Sequence, residues 1–384
     1  MHNILKVFFV PLLCSLVLQG CGSSSSDDDE PIVKPTPNTV VWQQVAEDAT
    51  QALVTHFWNG GEGYFNSLPD VADVQHNQYW PQAHAMDVVI DAYLRTGNSG
   101  YRALFDKWHD GIKKKAGNSY FNDFYDDEEW ICLTMLRLYD CTKEQKYLDT
   151  AQLLWDDIQH AWNTKYCGGG MAWRKSQPWS KNACSNGPAG IIAARMYNIQ
   201  KRDADLALAK RIYNWERDNL YAAGTGAVYD SMNGQSGNSI TNWVFTYNQG
   251  TFVGMCYELY RITGENLYLR DAVRASSYTL SSLSDLSESV LKDEGTGDGG
   301  LFKGIFVRYF TLLLQDSHLE QSDKTRFMAY LKHNAEVLKE KGMQPQKLIG
   351  CNWARNNSAV DLGTQVSGCV LFEAMAILSG ADGL

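Results

Sequence analysis

From residue 43 onward the sequence repeats one long-range pattern that few folds accommodate. Amphipathic segments, charged on one face, fall near 43–57, 100–115, 143–161, 202–218, 265–283 and 322–340; in the first, Val45, Ala49, Ala52, Leu53 and Phe57 recur at helical spacing. Between them lie more apolar segments near 79–95, 126–140, 187–200, 248–263, 303–316 and 365–380, rich in Gly, Ala, Met and aromatics, as buried helices are. The apolar set starts near 79, 125, 186, 247, 304 and 364, so after the first step it recurs roughly every sixty residues, a period that signals stacked helical pairs. Links from the apolar to the charged set are short: Thr96 to Ser99, Cys141-Thr142, Lys201 and Gly264. Links in the other direction are long: 58–78, 116–125, 162–186, 219–247, 284–302 and 341–363. Helix–helix links usually run about 2–8 residues, so six long ones on one face need a reason, and function concentrates on loops held by a rigid scaffold. The pattern predicts an all-α (α/α)6 barrel of six inner and six outer helices, with a cleft on the long-loop face. Short hairpins, such as one around Gly226-Ala227-Val228-Tyr229, would lie inside the loops. An open helical solenoid is the alternative.

The N-terminus reads as an address. Lys6 precedes the apolar run Val7 to Leu18, too short to span a membrane as a mature helix, and the run ends in Leu18-Gln19-Gly20-Cys21. Small residues before a cysteine resemble a bacterial lipobox, which implies a lipoprotein signal peptide over 1–20 and acylation of Cys21, several acyl chains anchoring firmly where one does not. Residues 21–41 carry Ser23–Ser26, Asp27-Asp28-Asp29-Glu30, Pro31, Pro35 and Pro37, a flexible acidic tether. Acid directly after the lipidated cysteine resembles the export tag of surface lipoproteins, which implies the outer membrane, cell-surface side. Residues 42–384 are expected to form one domain. No other long apolar run is apparent, so a multi-span membrane protein is excluded. A formal net charge of −10 argues against nucleic acid, which demands a basic footprint, and favours a neutral ligand over an anionic one. The seven cysteines after Cys21 contain no C-x-x-C pair, so neither a zinc site nor a disulfide framework is expected; Cys132, Cys256 and Cys369 read as buried small residues.

The densest acidic cluster in the helical part is Asn122-Asp123-Phe124-Tyr125-Asp126-Asp127-Glu128-Glu129-Trp130, where the second apolar helix begins. Acids in a first helical turn favour the macrodipole, and Asp123 or Asp126 could serve as an N-cap. Yet two carboxylates about 5 Å apart at an effective dielectric near 20 cost about 3 kcal/mol when both are ionised, enough to split their pKa values by about 2 units. Such a split is what general-acid catalysis beside a second carboxylate needs. Consecutive residues diverge by about 100° on a regular helix, so an adjacent pair must sit at a helix entry, as Asp126-Asp127 does. A carboxyl separation of about 5–5.5 Å would mean retention of anomeric configuration and about 6.5–9.5 Å inversion; the sequence places the pair without giving the distance or the roles.

Tyr125-Asp126-Asp127-Glu128-Glu129-Trp130 resembles the double-aspartate signature of glycoside hydrolase family 76, the endo-α-1,6-mannanases. Further segments agree in order: Gly168-Gly169-Gly170-Met171-Ala172-Trp173, Ser180-Lys181-Asn182-Ala183, Tyr247-Asn248-Gln249-Gly250, Gly297-Asp298-Gly299-Gly300-Leu301-Phe302-Lys303-Gly304-Ile305-Phe306 and Gln365-Val366-Ser367-Gly368. The resemblance covers most of 42–380 and implies an (α/α)6 barrel, retaining hydrolysis of the α-1,6-mannan backbone of yeast-type mannan, and no metal or cofactor. By analogy Asp126 is the nucleophile and Asp127 the acid/base. Met171-Ala172-Trp173 departs from the more aromatic run the family leads one to expect, which puts one sugar contact in doubt. The expected substrate contacts are Trp80, Trp130, Trp173, Asn182, Tyr247, Asn248, Gln249, Asp298, Lys303 and Gln365. The expected partners are α-mannan or mannooligosaccharides, outer-membrane lipid through acylated Cys21, and a glycan importer. Trp179, Trp243 and Trp353 also fall near the long-loop face, whereas His76 and His84 read as core or loop residues. Competing readings are a mannan transglycosylase, a non-catalytic surface glycan-binding lipoprotein, and another (α/α)6 enzyme acting on uronic acids. The scatter of Arg174, Arg195, Arg308 and Arg355 speaks against the last.

Overall fold

A computed structural model describes residues 40–72 and 79–382. The signal, the tether up to residue 39, Cys21 and His76 lie outside the described residues. The chain runs through α1 (Trp42–Phe57), α2 (Tyr79–Thr96), α3 (Ser99–Lys115), α4 (Tyr125–Thr142), α5 (Gln145–Ile158), α6 (Ala183–Gln200), α7 (Asp203–Asn219), α8 (Thr246–Thr263), α9 (Asn266–Ser282), α10 (Asp298–Leu314), α11 (Gln321–Val337) and α12 (Leu362–Asp382). The even-numbered helices pack in sequence on one another, and α12 returns to α2, so they close an inner ring. α3, α5, α7 and α9 each pack outside the preceding inner helix, and α1 packs on α12. This closure decides for the (α/α)6 toroid over the open solenoid.

Composition explains the two layers. The outer helices carry one buried stripe, as with Tyr147, Leu148, Ala151, Leu154, Trp155 and Ile158 of α5. The inner helices are buried nearly all round; α6 buries every residue from Ala183 to Ala194. One helix among the described residues, Leu362–Gly380 of α12, is long and apolar enough to cross a membrane, which corrects the expectation that no long apolar run lies beyond the N-terminus. It is an inner helix, and the ring supplies its apolar surroundings.

The short links are two residues each: 97–98, 143–144, 201–202 and 264–265. α4 continues through Cys141-Thr142 and ends at Lys143, whose φ of 59° is left-handed; Gly97, Lys201 and Gly264 end α2, α6 and α8 in the same way. A left-handed residue after the last turn lets the chain reverse within two residues. These links leave the inner-helix C-termini open around a cavity of about 950 Å³. Arg137 and Arg195 line it, Arg195 paired with Glu258; a neighbouring cavity of about 200 Å³ adds Arg308, Asp87 and Asp91, where Arg137 and Arg308 pair with both aspartates. The guanidinium groups oppose the negative ends of the converging helices.

All long links gather at the other end, where the inner helices begin. They hold small antiparallel elements: β1 (Trp58–Asn59) with β2 (Tyr64–Phe65), β3 (Ser180–Asn182) with β6 (Ser231–Asn233) and β7 (Ser239–Thr241), and β4 (Tyr221–Ala222) with β5 (Ala227–Val228). The last pair is the expected hairpin. A recurring device fixes these loops. In five inner helices the fourth residue reaches back to the backbone of the preceding link. Gln82 both accepts from Phe65 N and donates to Phe65 O, at 2.8 Å each. Glu128 accepts from Asn122 N at 2.6 Å. Asn186 accepts from Met171 N at 2.8 Å, Gln249 donates to Val228 O at 3.2 Å, and Gln365 accepts from Ile349 N at 2.8 Å. Two buried lysines add to this: Lys181 donates to Gly170 O at 2.7 Å, and Lys303 to Cys351 O.

Candidate active site

The N-terminus of α4 is strapped to the link before α6. Tyr125 N donates to Trp173 O at 3.0 Å and Lys175 N to Asp123 O at 2.8 Å. Asp123 accepts from Arg174 Nε at 2.7 Å and from the Ser176 hydroxyl at 2.9 Å, and the Arg174 guanidinium lies 4.4 Å from the Phe124 ring centroid. Asp123 is thus a strap, and the residue at the cap position, Phe124, offers no side-chain acceptor. The capping reading of Asp123 and Asp126 therefore fails, and with Glu128 engaged by Asn122 N the first turn leaves Asp126 and Asp127 for other work. The partner strand of this strap follows the glycine run. Gly170, at φ +86°, lies under Trp215, whose ring atoms would stand 2.8 Å from any Cβ there.

Asp126 and Asp127 open α4 at the long-loop end, both partly accessible. Burial pushes the Asp126 carboxyl up to about 7, although the Cys184 thiol, the Trp173 indole and the backbone N–H groups of Asp126 and Asp127 favour its ionised form. Asp127 is driven well above the usual carboxylate range by burial and by three neighbouring carboxylates, Asp126, Asp298 and Glu128, while Asn122 opposes. Asn122 Nδ2 donates to Asp127 Oδ2 at 2.9 Å. Both carboxyls thus hold protons far more tightly than usual. The one facing three like charges, Asp127, is the one that keeps its proton when its neighbour ionises.

Around the pair the structure gathers several of the expected residues. Trp80, at the start of α2, donates from Nε1 to Asp298 Oδ1 at 3.1 Å, joining α2 to α10 beside Asp127. Trp173 lies against Asp126. Tyr247 stacks on Phe302 with ring centroids 4.1 Å apart, and its hydroxyl meets Cys184. Asn248 is fully buried and faces Asp230. Asn182 is half-buried at the end of β3, its Oδ1 accepting from the Ser180 hydroxyl at 2.7 Å.

Four expected contacts are corrected. Trp130 is 3 % exposed, packed 4.7 Å from His84 behind Trp80, so it is core. Gln249 and Gln365 are fully buried, Gln249 donating its amide NH2 to Val228 O and Gln365 accepting from Ile349 N. Lys303 is 1 % exposed, its ammonium held by Cys351 O above the buried Trp353 ring. None of the four presents a polar group to a ligand. Residues that the sequence reading passed over are Asn122, Cys184 and Asp230; of these only Asn122 stood inside a conspicuous motif. His84 is buried and neutral, its pKa pushed down to about 3 by burial, as expected of a core histidine. The seven described cysteines are free, and Cys132, Cys256 and Cys369 are fully buried.

A ring of six inner helices with paired, proton-retaining carboxyls at the loop face suits glycosidic bond cleavage. The model of glycosyl hydrolase family 76 matches residues 41–382. The chain belongs to this family. Among solved structures, an α-1,6-mannanase, GH76A of Salegentibacter sp. HEL1_6, is 40 % identical over 88 % of this chain and 99 % of its own, with a TM-score of 0.84. An inactive variant of that enzyme, with two consecutive aspartates replaced by asparagine, was solved in complex with α-1,6-mannotriose. Among curated relatives, a putative mannan endo-1,6-alpha-mannosidase of Schizosaccharomyces pombe is 24 % identical over 359 residues, spanning 86 % of this chain and 80 % of its own. Family membership makes the protein a glycoside hydrolase.

Proposed function

We propose that this hydrolase is a retaining endo-α-1,6-mannanase in which Asp126 is the nucleophile and Asp127 the acid/base. The observation that carries the reading is the adjacent carboxyl pair at the entry of α4. Among the described residues only one other consecutive aspartate pair exists, Asp156-Asp157, and it lies on the outer helix α5, part of whose carboxylate charge is already engaged by Lys175. The consecutive aspartates whose replacement inactivates the Salegentibacter mannanase therefore have one natural counterpart in this chain.

Asp127, protonated, donates its proton to the departing O6 of the leaving mannosyl unit as the C1–O6 bond breaks. Asp126, ionised and supported by the Cys184 and Trp173 donors, closes on C1 and forms a covalent mannosyl ester. Asp127, now a carboxylate, takes a proton from water, whose oxygen attacks C1 and expels Asp126. Retention follows from two inversions. The substrate reading rests on the Salegentibacter enzyme binding α-1,6-mannotriose and on the mannan activity named for the curated relatives. In the same reading the chain is acylated at Cys21 and displayed on the cell surface, where it feeds mannooligosaccharides to an importer.

The test is digestion of linear α-1,6-mannan. Asp126→Asn and Asp127→Asn should each lose at least about 100-fold in rate, and proton NMR of the first-formed product should show the α-anomer. Undiminished cleavage by either variant refutes the assignment; binding without cleavage by the parent chain leaves a glycan-binding protein. Loss of radiolabelled palmitate incorporation on Cys21→Ala tests the anchor.

A further inference from the structure

Five inner helices fix their preceding loop with a side chain at the fourth position, and in four of them it is a neutral amide: Gln82, Asn186, Gln249 and Gln365. α4 alone among these five uses a carboxylate, Glu128. That carboxylate is fully buried and held by two donors. Asn122 N and Lys175 Nζ both donate to its Oε1 at 2.6 Å, and the same ammonium stands 2.7 Å from Asp157 Oδ2. An acceptor shared with the Lys175 ammonium holds the Asn122 backbone more firmly than an amide would, even though burial pushes the Glu128 carboxyl up to about 8. What the clamp immobilises is the residue whose side chain touches the proton donor. The Asn122 amide is fixed at both ends. Its Oδ1 accepts from Phe124 N at 3.0 Å, which leaves Nδ2 to donate to Asp127 Oδ2 at 2.9 Å.

We propose that Asn122 is a positioning residue for Asp127, clamped by Glu128, Lys175 and Asp157, and that it fixes which carboxyl oxygen carries the transferable proton. An N–H that occupies Oδ2 favours Oδ1 as the protonated oxygen, and Oδ1 has no protein hydrogen-bond partner among the described residues. The same N–H favours the carboxylate form, so it holds the proton affinity of Asp127 below what its surroundings would otherwise impose. Those surroundings are Asp126 and Glu128 on α4, Asp298 on α10 and the Tyr79 phenol on α2.

The inference rests on Asp127 being the proton donor, and the experiment separates the two. The full chain and its Asp127→Asn, Asn122→Ala and Asn122→Asp variants are assayed for kcat/KM across pH on linear α-1,6-mannan and on a 2,4-dinitrophenyl α-1,6-mannobioside, whose leaving group needs no proton. Asn122→Ala should lower kcat/KM on mannan by about 10–100-fold, lower it far less on the dinitrophenyl substrate, and move the basic limb of the pH profile upward by about 1 unit. Asn122→Asp keeps an acceptor for Phe124 N but sets a carboxylate against Asp127, so it should move that limb further. Equal losses on both substrates, or a basic limb that stays in place in both folded variants, would overturn the inference; Asn122→Asp, nearly isosteric, serves if Asn122→Ala does not fold. Full mannan activity in Asp127→Asn would instead sink the proton-donor assignment itself.

Discussion

Replacing Asp126 by asparagine should make the protein more stable at pH 8 while abolishing its activity. The native carboxyl titrates near 7 against 3.8 for the unperturbed group. Between those values the folded chain binds a proton that the unfolded chain does not, so wild-type stability falls as pH rises through the window. The full cost is present above about pH 7 and absent below about 3.8. A shift of about three units at about 1.4 kcal/mol each sets an upper bound near 4 kcal/mol. Residual accessibility and the imperfect fit of an amide reduce the gain to about 2–4 kcal/mol. Removing the charge also relieves Asp127, which acts in the same direction. With an unfolding entropy of about 2.1 cal/mol/K per residue over roughly 340 residues, that gain raises Tm by about 3–6 °C. Calorimetry of the wild type and Asp126→Asn at pH 8 and pH 4 measures it: the gap should be wide at pH 8 and nearly closed at pH 4. An asparagine variant no more stable at pH 8, or a gap of equal size at both pH values, would refute the claim that the site holds a strained carboxylate.

Other consequences follow from single contacts. Gly170→Ala places a methyl group 2.8 Å from the Trp215 ring at a left-handed φ, and should cost about 2–4 kcal/mol in chemical denaturation. Gln365→Leu strips the acceptor from buried Ile349 N, a cost of about 1–3 kcal/mol that should appear as faster tryptic cleavage after Lys347, with far-UV dichroism unchanged. Trp243 is 64 % exposed beside Phe245 on the link before α8, so Trp243→Ala should leave Tm within about 1 °C yet raise KM for long mannan chains by about 2–10-fold, with little effect on mannotetraose.

The architecture was legible because it rests on signals of long range. Alternation of helix character and of link length survives any local ambiguity, and it placed the helices to within a few residues. Even Cys141-Thr142, read as a link, missed the turn at Lys143 by only one or two residues, because nothing marks a left-handed lysine in advance. The catalytic pair was legible because neighbouring carboxylates at a helix entry are an electrostatic anomaly. The substrate contacts were far less so. Gln249, Gln365 and Lys303 carry groups that bind sugars well in principle, and composition cannot tell a polar group that faces a cleft from one turned back to hold a loop. Trp130 failed for a related reason, since it lies four residues along α4 from Asp126 but faces His84. Asp230 and Cys184 had no sequence signal, because they meet the site only through the β3–β6 pairing and the start of α6.

The fourth-position device explains how a ring with six long links can hold a rigid site. A link of fifteen to twenty-five residues would forfeit about 1–2 kcal/mol of backbone entropy per ordered residue with little core of its own. Anchoring a link part-way along to the first turn of the next inner helix, as before α2, α6, α8 and α12, turns one long loop into two shorter ones. It also ties that loop to the element that presents the active-site residues, so order in the loop and order in the site arise together. α10 is the informative exception. Its fourth residue is the buried Leu301, and its link is held instead by its neighbours: Asn334 of α11 accepts from Leu291 N at 2.8 Å, Thr246 N of α8 donates to Glu294 Oε1 at 3.0 Å, and Gly297 N donates to Asp361 Oδ2 at 2.6 Å. The first turn of α10, with Asp298, thus supplies no side-chain anchor for its own link, and among the described residues the hydrogen bond that joins it to α2 is the one from Trp80 to Asp298. Hydrogen exchange should therefore be faster across 292–300 than across 170–182, and Trp80→Phe, which removes that bond, should quicken exchange at 292–300 alone. Uniform protection of the two segments would mean that the amide anchors contribute nothing to loop order.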